Sequence, residues 1–241
     1  MDKQIIILAA GHGSRMKAEI PKVMHDVAGI PMLEHVVRSC SQVTDDLTLV
    51  YSNHLKSYLP KFKDRCKFVQ QEQQLGTAHA TAVARREFNK SKAIAVIYGD
   101  NPLITSVIIN NLFEHLARTD SKAVTLAFEY DKPNQYGRII TDADGNFLKI
   151  IESKFANEEE RKITLCNSGV MAFAPLVLEQ YIDKCLVPNS DKELYLTKII
   201  EICAANGQKV SYLKEDNYKL VLGVNNQEEL KAANIVVKKS N

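Results

Sequence analysis

The chain has 241 residues, of which 45% are apolar, which is enough to bury a sizeable core. Lys and Arg number 31 against 29 Asp and Glu, and this near balance excludes a protein that finds nucleic acid through overall charge. The five cysteines form no Cys-x-x-Cys pair, which argues against a disulfide framework or zinc site and favours a reducing, cytoplasmic environment. The N-terminal apolar run is six residues long, so we expect neither export nor a membrane anchor.

The first predicted element is a strand from Ile5 to Ala10, because a short continuous apolar run is typical of a strand buried on both faces. Gly11 and Gly13 follow it, and a glycine backbone can turn its N–H groups toward a polyanion without a side chain in the way. Arg15 and Lys22 add phosphate-matching donors. This segment predicts a triphosphate cradle, and the alternative is a plain glycine turn with solvated Arg15 and Lys22.

Two better-known phosphate loops are excluded at this position. No Gly-Lys pair occurs, as a P-loop would require, and Met16 stands where a dinucleotide fingerprint has its third glycine. A dehydrogenase is therefore disfavoured.

Strand-like runs alternate with helical patterns along the rest of the chain, which predicts a largely parallel sheet. Helical patterns begin at Pro31, at Thr77 and near Thr105, and the second of them extends to residue 87. A fourth pattern, Leu196 to Ala204, follows Ser190-x-x-Glu193, which matches a capping-box motif. A final helix is predicted at about 227–237. The further predicted strands are Leu47 to Tyr51, Lys67 to Gln70, Ala93 to Tyr98, Val124 to Tyr130, Leu165 to Phe173 and Lys219 to Gly223.

Asp100 follows a buried strand and a glycine, a good placement for a magnesium ligand, since Mg²⁺ takes only one or two protein oxygens beside substrate phosphates. The alternative is that Asp100 caps the helix near Thr105 or stabilises the Asn-Pro turn.

The stretch from Tyr136 to Ile151 reads as two short strands around a tight turn. We expect this antiparallel hairpin at the carboxyl edge of the sheet, where open α/β sheets bind ligands.

Several motifs stand in the order found in sugar-1-phosphate nucleotidyltransferases, and the chain resembles most the N-terminal half of the bacterial N-acetylglucosamine-1-phosphate uridylyltransferases. The resemblance spans nearly all of the chain. It implies a three-layer, Rossmann-like α/β fold with a mostly parallel mixed sheet and a small antiparallel hairpin insertion. The motifs are Leu8 to Met16, Pro21-Lys22, Gln74 to His79, Tyr98-Gly99-Asp100, Tyr136-Gly137-Arg138, Ile151-Glu152, Asn167-Ser168-Gly169 and Gly223 to Asn226.

The resemblance also implies the site. The catalytic residues would be Arg15, Lys22 and Asp100, with Asp100 and Asn225 holding Mg²⁺, although Asn225-x-x-Glu228 also reads as a helix cap. Residues facing the nucleotide would be Leu8, Ala10, Gly11, Gly13, Gln71, Gln74, Gly76 and Thr77. Residues facing the sugar phosphate would be Tyr98, Gly137, Glu152, Asn167 and Thr197.

The implied reaction joins UTP and N-acetylglucosamine-1-phosphate into UDP-N-acetylglucosamine and pyrophosphate, by in-line attack on the α-phosphate with Mg²⁺ as cofactor. We expect one nucleotidyltransferase domain over 1–241, without a left-handed β-helix acetyltransferase domain, as a cytoplasmic monomer or small homo-oligomer. His12 and Lys198 depart from the family pattern, where lysine and aspartate are common.

Three alternatives stay open. The chain could use another sugar-1-phosphate or nucleoside triphosphate, or bind a nucleotide sugar without turnover. It could also be a glycosyltransferase with a metal on Asp142-Ala143-Asp144, although Asp144-Gly145-Asn146 reads as a turn.

Overall fold

A computed structural model of the chain describes residues 1–11, 16, 20–132, 134–187 and 193–240. Residues 239 and 240 are described by their backbone only. Eleven strands and seven α-helices occur in this part of the chain. The strands are β1 (Lys3–Ala9), β2 (Asp26–Val27), β3 (Ile30–Pro31), β4 (Leu47–Tyr51), β5 (Lys67–Gln70), β6 (Ala93–Tyr98), β7 (Ala123–Glu129), β8 (Gly137–Thr141), β9 (Phe147–Ile151), β10 (Leu165–Phe173) and β11 (Val210–Glu215). The helices are α1 (Met32–Ser41), α2 (Thr77–Val83), α3 (Ser106–Arg118), α4 (Glu158–Arg161), α5 (Val177–Tyr181), α6 (Lys198–Ala205) and α7 (Gln227–Ser240).

The central sheet has nine strands, in the order β11-β7-β10-β6-β1-β4-β5, with β8 and β9 attached through β10. All strands on that path run in one direction except β10, which is antiparallel to both β6 and β7. The α/β class, the mostly parallel sheet and the antiparallel hairpin β8-β9 are therefore confirmed.

The core lies on both faces of this sheet, which explains why β1 is a continuous apolar run. Ile5 and Ile7 pack on the face covered by α1 and α3, while Ile6 and Leu8 pack on the face covered by α2, α5 and α6. Alternate residues of a strand point to opposite faces, so a strand with helices on both sides can bury apolar residues at successive positions. Ile5, Ile6 and Ile7 are accordingly all fully buried.

The predicted strand from Lys219 to Gly223 is wrong. Residues Tyr218–Leu220 form a 3-10 turn, and the last strand is β11, which pairs parallel to β7 at the edge of the sheet. Val221 is nevertheless fully buried, because this loop covers the end of the core beside α3. Apolar content here reflects burial of a loop and not strand pairing.

Several predicted helix starts shift. The helix after Pro31 begins at Met32, and Pro31 itself belongs to β3. The capping box fails for α6, which begins only at Lys198, well past Glu193, while Ser190 lies outside the described residues. The helix predicted over 77–87 ends at Val83 and continues as a separate 3-10 turn.

A shift of register in β10 positions part of the site. The register of β10 against β7 shifts between Asn167 and Met171. On its other side, β10 pairs with β8 before this shift and with β6 after it. Its C-terminal half pairs with β6, whereas Cys166 and Asn167 pair with β8. The sheet thus opens at its carboxyl edge between the end of β6 and the hairpin. Separately, no helix in the described ranges is long and apolar enough to cross a bilayer.

Candidate active site

Two adjoining cavities lie at the carboxyl edge of the sheet. The larger has a volume of about 610 Å³ and the smaller about 220 Å³. The larger is lined by Leu8, Ala9, Ala10, Gly11, Lys22, Val23, Gln71, Gln74, Leu75, Gly76, Thr77, Ala80, Tyr98, Asp100, Glu193 and Asn225. The smaller is lined by Thr77, Tyr98, Asp100, Asn101, Gln135, Tyr136, Gly137, Glu152, Asn167, Ser168, Gly169, Glu193, Tyr195, Thr197, Gly223 and Asn225.

The sequence-predicted residues divide between these cavities as groups. All of the nucleotide-facing residues except Gly13 line the larger cavity, and all five sugar-facing residues line the smaller. Asp100 and Asn225 line both, as do Thr77, Tyr98 and Glu193. Arg15 and Gly13 lie outside the described residues, as does His12.

Lys22 joins the two residues predicted to hold metal. Its ammonium donates to the Asp100 carboxylate, with which it forms an ion pair, and to Asn225 Oδ1 at 2.9 Å. The Lys22 and Asp100 side chains are only 13% and 17% exposed, so water screens the pair weakly. One cation thus contacts a carboxylate oxygen and an amide oxygen at the boundary between the cavities.

This donor set suits a hard divalent cation that keeps open positions. Asp100 and Asn225 supply two oxygens, and Mg²⁺ in nucleotide enzymes takes its remaining ligands from phosphates and water. Within the described ranges no group of three His, Cys, Asp or Glu side chains could form a complete metal cage. The residues present therefore fit a metal that is bound together with a phosphorylated substrate.

The loop that carries Asn225 is fastened to the end of β6. Val224 N donates to Asp100 O at 2.8 Å, and Asn101 Nδ2 donates to Val221 O at 3.1 Å. On the other side, Gly223 N donates to the Tyr136 hydroxyl at 3.2 Å. These hydrogen bonds from the loop to the end of β6 and to Tyr136 fix the position of Asn225.

The alternative capping roles are wrong. Thr105 Oγ1 accepts from Ile108 N and caps α3, so Asp100 does not. Asn226, not Asn225, accepts from the backbone N–H groups of Glu228 and Glu229 at the start of α7. Neither predicted metal ligand caps a helix, and a side-chain oxygen of each accepts from Lys22 instead.

Gly76 is required where the larger cavity meets α2. Its φ is +120°, and a Cβ atom there would lie 2.5 Å from Leu194 O. The two segments are pinned together, since Ala78 N donates to Leu194 O and Leu194 N donates to Leu75 O, each at 2.8 Å. Leu196 N also donates to Thr77 Oγ1 at 2.9 Å. These bonds hold the segment that carries Glu193, which lines both cavities, and Tyr195, which lines the smaller one.

Polar groups in the smaller cavity are held by their neighbours. Glu152 Oε1 accepts from Thr197 Oγ1 at 2.6 Å, and burial raises the pKa of the Glu152 carboxyl despite that hydrogen bond. Asn167 Oδ1 accepts from Thr125 Oγ1 at 2.6 Å and from Gly169 N at 3.0 Å. Because this oxygen is occupied, Asn167 can offer a ligand its Nδ2 donor.

Tyr98 stands between the cavities, and Gly169 makes room for it. Gly169 has φ +85°, and a Cβ atom there would come within 2.8 Å of the Tyr98 ring. Burial raises the pKa of the Tyr98 hydroxyl, which keeps it neutral. Neither Gly169 nor Tyr136 was assigned a role from the sequence, although both stand in the quoted motifs.

Asp142 stabilises the turn of the hairpin, as the sequence indicated for this segment. Asp142 Oδ1 accepts from the backbone N–H groups of Asp144 and Asn146, and its Oδ2 accepts from Asn146 Nδ2. These bonds lower the pKa of Asp142 and close the turn between β8 and β9.

Comparison with known proteins identifies the family of the chain. The model of the MobA-like NTP transferase domain matches residues 5–162. The bifunctional protein GlmU of Desulfotalea psychrophila is 38% identical over 233 residues, covering 95% of this chain and 68% of that protein. GlmU of Clostridium botulinum is 40% identical over 238 residues, covering 97% of this chain and 52% of that protein. Among such curated relatives, most are about twice as long as this chain.

A solved structure shows the same fold. It is a chain from Bacillus anthracis that bears the name of a glucose-1-phosphate thymidylyltransferase, in complex with sucrose. The TM-score is 0.79, with 99% of this chain and 96% of that chain covered. At 22% identity the likeness concerns the fold alone.

Proposed function

This chain belongs to the family of MobA-like NTP transferase domains, and on that premise we propose that it is a sugar-1-phosphate nucleotidyltransferase. Its substrates are UTP and N-acetylglucosamine-1-phosphate, and its products are UDP-N-acetylglucosamine and pyrophosphate. The observation that carries the proposal is the pair of adjoining cavities with Asp100 and Asn225 on the boundary. A transferase that joins two phosphorylated substrates needs such a boundary at the reacting phosphates.

The larger cavity takes the nucleotide. Its volume of about 610 Å³ suits a ligand of that size, and its glycine-lined floor leaves room for phosphates beside Gly11. Gln71 and Gln74 line this cavity, where their side-chain amides can hydrogen-bond the edge of the base.

The smaller cavity takes the sugar phosphate. A carboxylate at Glu152, an amide at Asn167 and a hydroxyl at Thr197 suit a polyhydroxyl ligand with an acetamido group. The half-enclosed Tyr98 ring supplies an apolar wall that both ligands share.

Asp100 and Asn225 would hold Mg²⁺. When bound there, the ion neutralises phosphate charge and orients both substrates. Lys22, which contacts the same two oxygens in the free protein, lies close enough to serve the phosphates of the nucleotide. Arg15 stays a proposed phosphate ligand on the strength of the family motif alone.

The proposed reaction requires little acid–base catalysis from the chain. An oxygen of the sugar phosphate, already anionic, forms a bond to the α-phosphorus while the bond from that phosphorus to pyrophosphate breaks, and pyrophosphate leaves with the electron pair. No general base is needed, so the site contributes alignment and charge stabilisation. The fixed loop around Gly223 and the rigid end of β6 serve that alignment.

The test is pyrophosphate release from a panel of nucleoside triphosphates and sugar-1-phosphates in Mg²⁺. The proposal predicts the highest kcat/KM for UTP with N-acetylglucosamine-1-phosphate. A different best pair would keep the reaction class and change the substrate. Free nucleoside diphosphate as product, or binding of both substrates without turnover, would refute the proposed reaction.

A further inference from the structure

The side chain of Gln71 is buried and its amide orientation is fixed. Gln71 is 2% exposed, yet it lines the larger cavity. Its Nε2 lies 3.3 Å from Gly76 O and 2.9 Å from His79 Nδ1. A backbone carbonyl only accepts, so the amide nitrogen must face Gly76. An amide nitrogen only donates, so His79 Nδ1 is the acceptor and the imidazole carries its proton on Nε2.

This arrangement commits both N–H bonds of the amide. The remaining polar atom, Gln71 Oε1, has no hydrogen-bond partner among the described residues. A ligand in the larger cavity therefore meets Gln71 as an acceptor only. Without His79, one N–H bond would be released and the amide could turn either group toward the cavity.

A fixed acceptor distinguishes pyrimidine bases. Uracil and thymine carry an imide N–H at ring position 3 that can donate to Oε1. Cytosine has a lone pair at that position and donates only from its neighbouring 4-amino group, so the discrimination applies to an Oε1 that faces position 3. Two acceptors facing each other in a buried site leave both unsatisfied, which disfavours cytosine. We propose that His79 is a positioning residue that sets base selectivity by holding Gln71 as an acceptor for an imide N–H.

His79 acts only through Gln71. It lies in the first turns of α2, one layer behind the cavity, and it lines neither cavity. This inference rests on the proposed function in that the larger cavity is taken to hold the nucleotide base. It adds the chemical class of base and the residue that enforces it.

Two variants of His79 form a matched pair. In His79→Asn, Oδ1 takes the branch position of Nδ1 and keeps an acceptor for Gln71. In His79→Leu, a methyl group occupies that position and cannot accept. Asn and Leu both branch at Cγ, so the two variants replace the half-buried imidazole with side chains of the same length. Thermal unfolding of each variant records any loss of stability.

The primary measurement is kcat/KM for UTP and for CTP with the same sugar phosphate. Since an ordinary hydrogen bond corresponds to about fivefold in affinity, His79→Leu should lower the UTP-to-CTP ratio by about fivefold or more. His79→Asn should keep the ratio within about twofold of the wild type. An unchanged ratio in a folded His79→Leu variant, or an equal fall in both variants, would overturn the inference.

A second measurement separates this inference from the proposed reaction. Calorimetric binding of UTP and CTP in Mg²⁺, without sugar phosphate, reports base selectivity even if no product forms. Wild-type preference for UTP that is lost in His79→Leu supports the role of His79 whatever reaction the protein catalyses. Equal binding of UTP and CTP by the wild type refutes it while turnover remains possible.

Discussion

Replacing Gly169 by alanine tests how closely the bulge in β10 is fitted to Tyr98. A Cβ atom at residue 169 would lie 2.8 Å from Tyr98 Cε2, 3.2 Å from Cζ and 3.3 Å from the hydroxyl. Ordinary contact begins near 3.4 Å, so the ring must retreat by about 0.6 Å. The ring is packed against both faces of the core, which leaves it little room to do so.

Two costs combine in this variant. A residue with a Cβ atom at φ +85° loses about 1–2 kcal/mol relative to glycine. Overpacking against the Tyr98 ring adds about 1–3 kcal/mol. We therefore expect Gly169→Ala to lower the free energy of unfolding by about 2–5 kcal/mol. Because Tyr98 lines the smaller cavity, KM for the sugar phosphate should rise roughly tenfold.

Gly145→Ala is the matched control. Gly145 has nearly the same φ, +81°, but nothing lies within 4 Å of its Cβ position, in a turn away from both cavities. It should lose only the backbone cost of about 1–2 kcal/mol and keep KM. Urea unfolding and steady-state kinetics of both variants supply the comparison. Equal stability and equal KM in the two variants would refute the reasoning about Tyr98.

Three further predictions follow from the site and the core. Asp100→Ala should lower kcat/KM by more than about 10²-fold, and near-normal turnover in the folded variant would remove Asp100 from the mechanism. Burial raises the pKa of Glu152 above its ordinary value of 4.5, so ionisation of this carboxyl disfavours the folded state. The free energy of unfolding of Glu152→Gln, measured in urea, should therefore increase relative to that of the wild type as pH rises from 4 to 7. A difference that stays constant over this pH range would contradict the burial of the carboxyl. All five cysteines are buried as free thiols and burial raises the pKa of each, so a thiol reagent should label none in the native protein and five in denaturant; rapid native labelling would contradict this.

The sequence predicts best those elements whose pattern depends on burial alone. The apolar runs at residues 5–10 and in β6 are continuous because helices cover both faces of the sheet. The edge strand β11 was missed because its residues are half-buried and include Lys214 and Glu215. The apolar loop around Val221 was mistaken for a strand, since burial under a loop and burial in a sheet leave the same composition.

In the candidate site, the sequence located groups of residues but not their contacts. The residues that the motifs assign to the nucleotide line one cavity and those assigned to the sugar phosphate line the other, as far as the structure describes them. Contacts between distant segments could not be read from local patterns. These include Lys22 with Asp100, Gly223 with Tyr136, and Leu194 with Leu75 and Ala78.

Lys22 illustrates the difference. The family motif assigns it to the nucleotide phosphates, whereas in the free protein it contacts the two oxygens proposed to bind magnesium. A buried carboxylate without a cation is costly, so an ammonium beside Asp100 is physically reasonable until substrate arrives.

The central claim, that two substrates meet at Asp100 and Asn225, is tested most directly by a crystal structure with UDP-N-acetylglucosamine and Mn²⁺. We predict the uracil beside Gln71, the sugar beside Glu152, and the anomalous peak of the metal between Asp100 and Asn225. A metal peak away from both residues, or a nucleotide sugar bound outside the two cavities, would contradict the account.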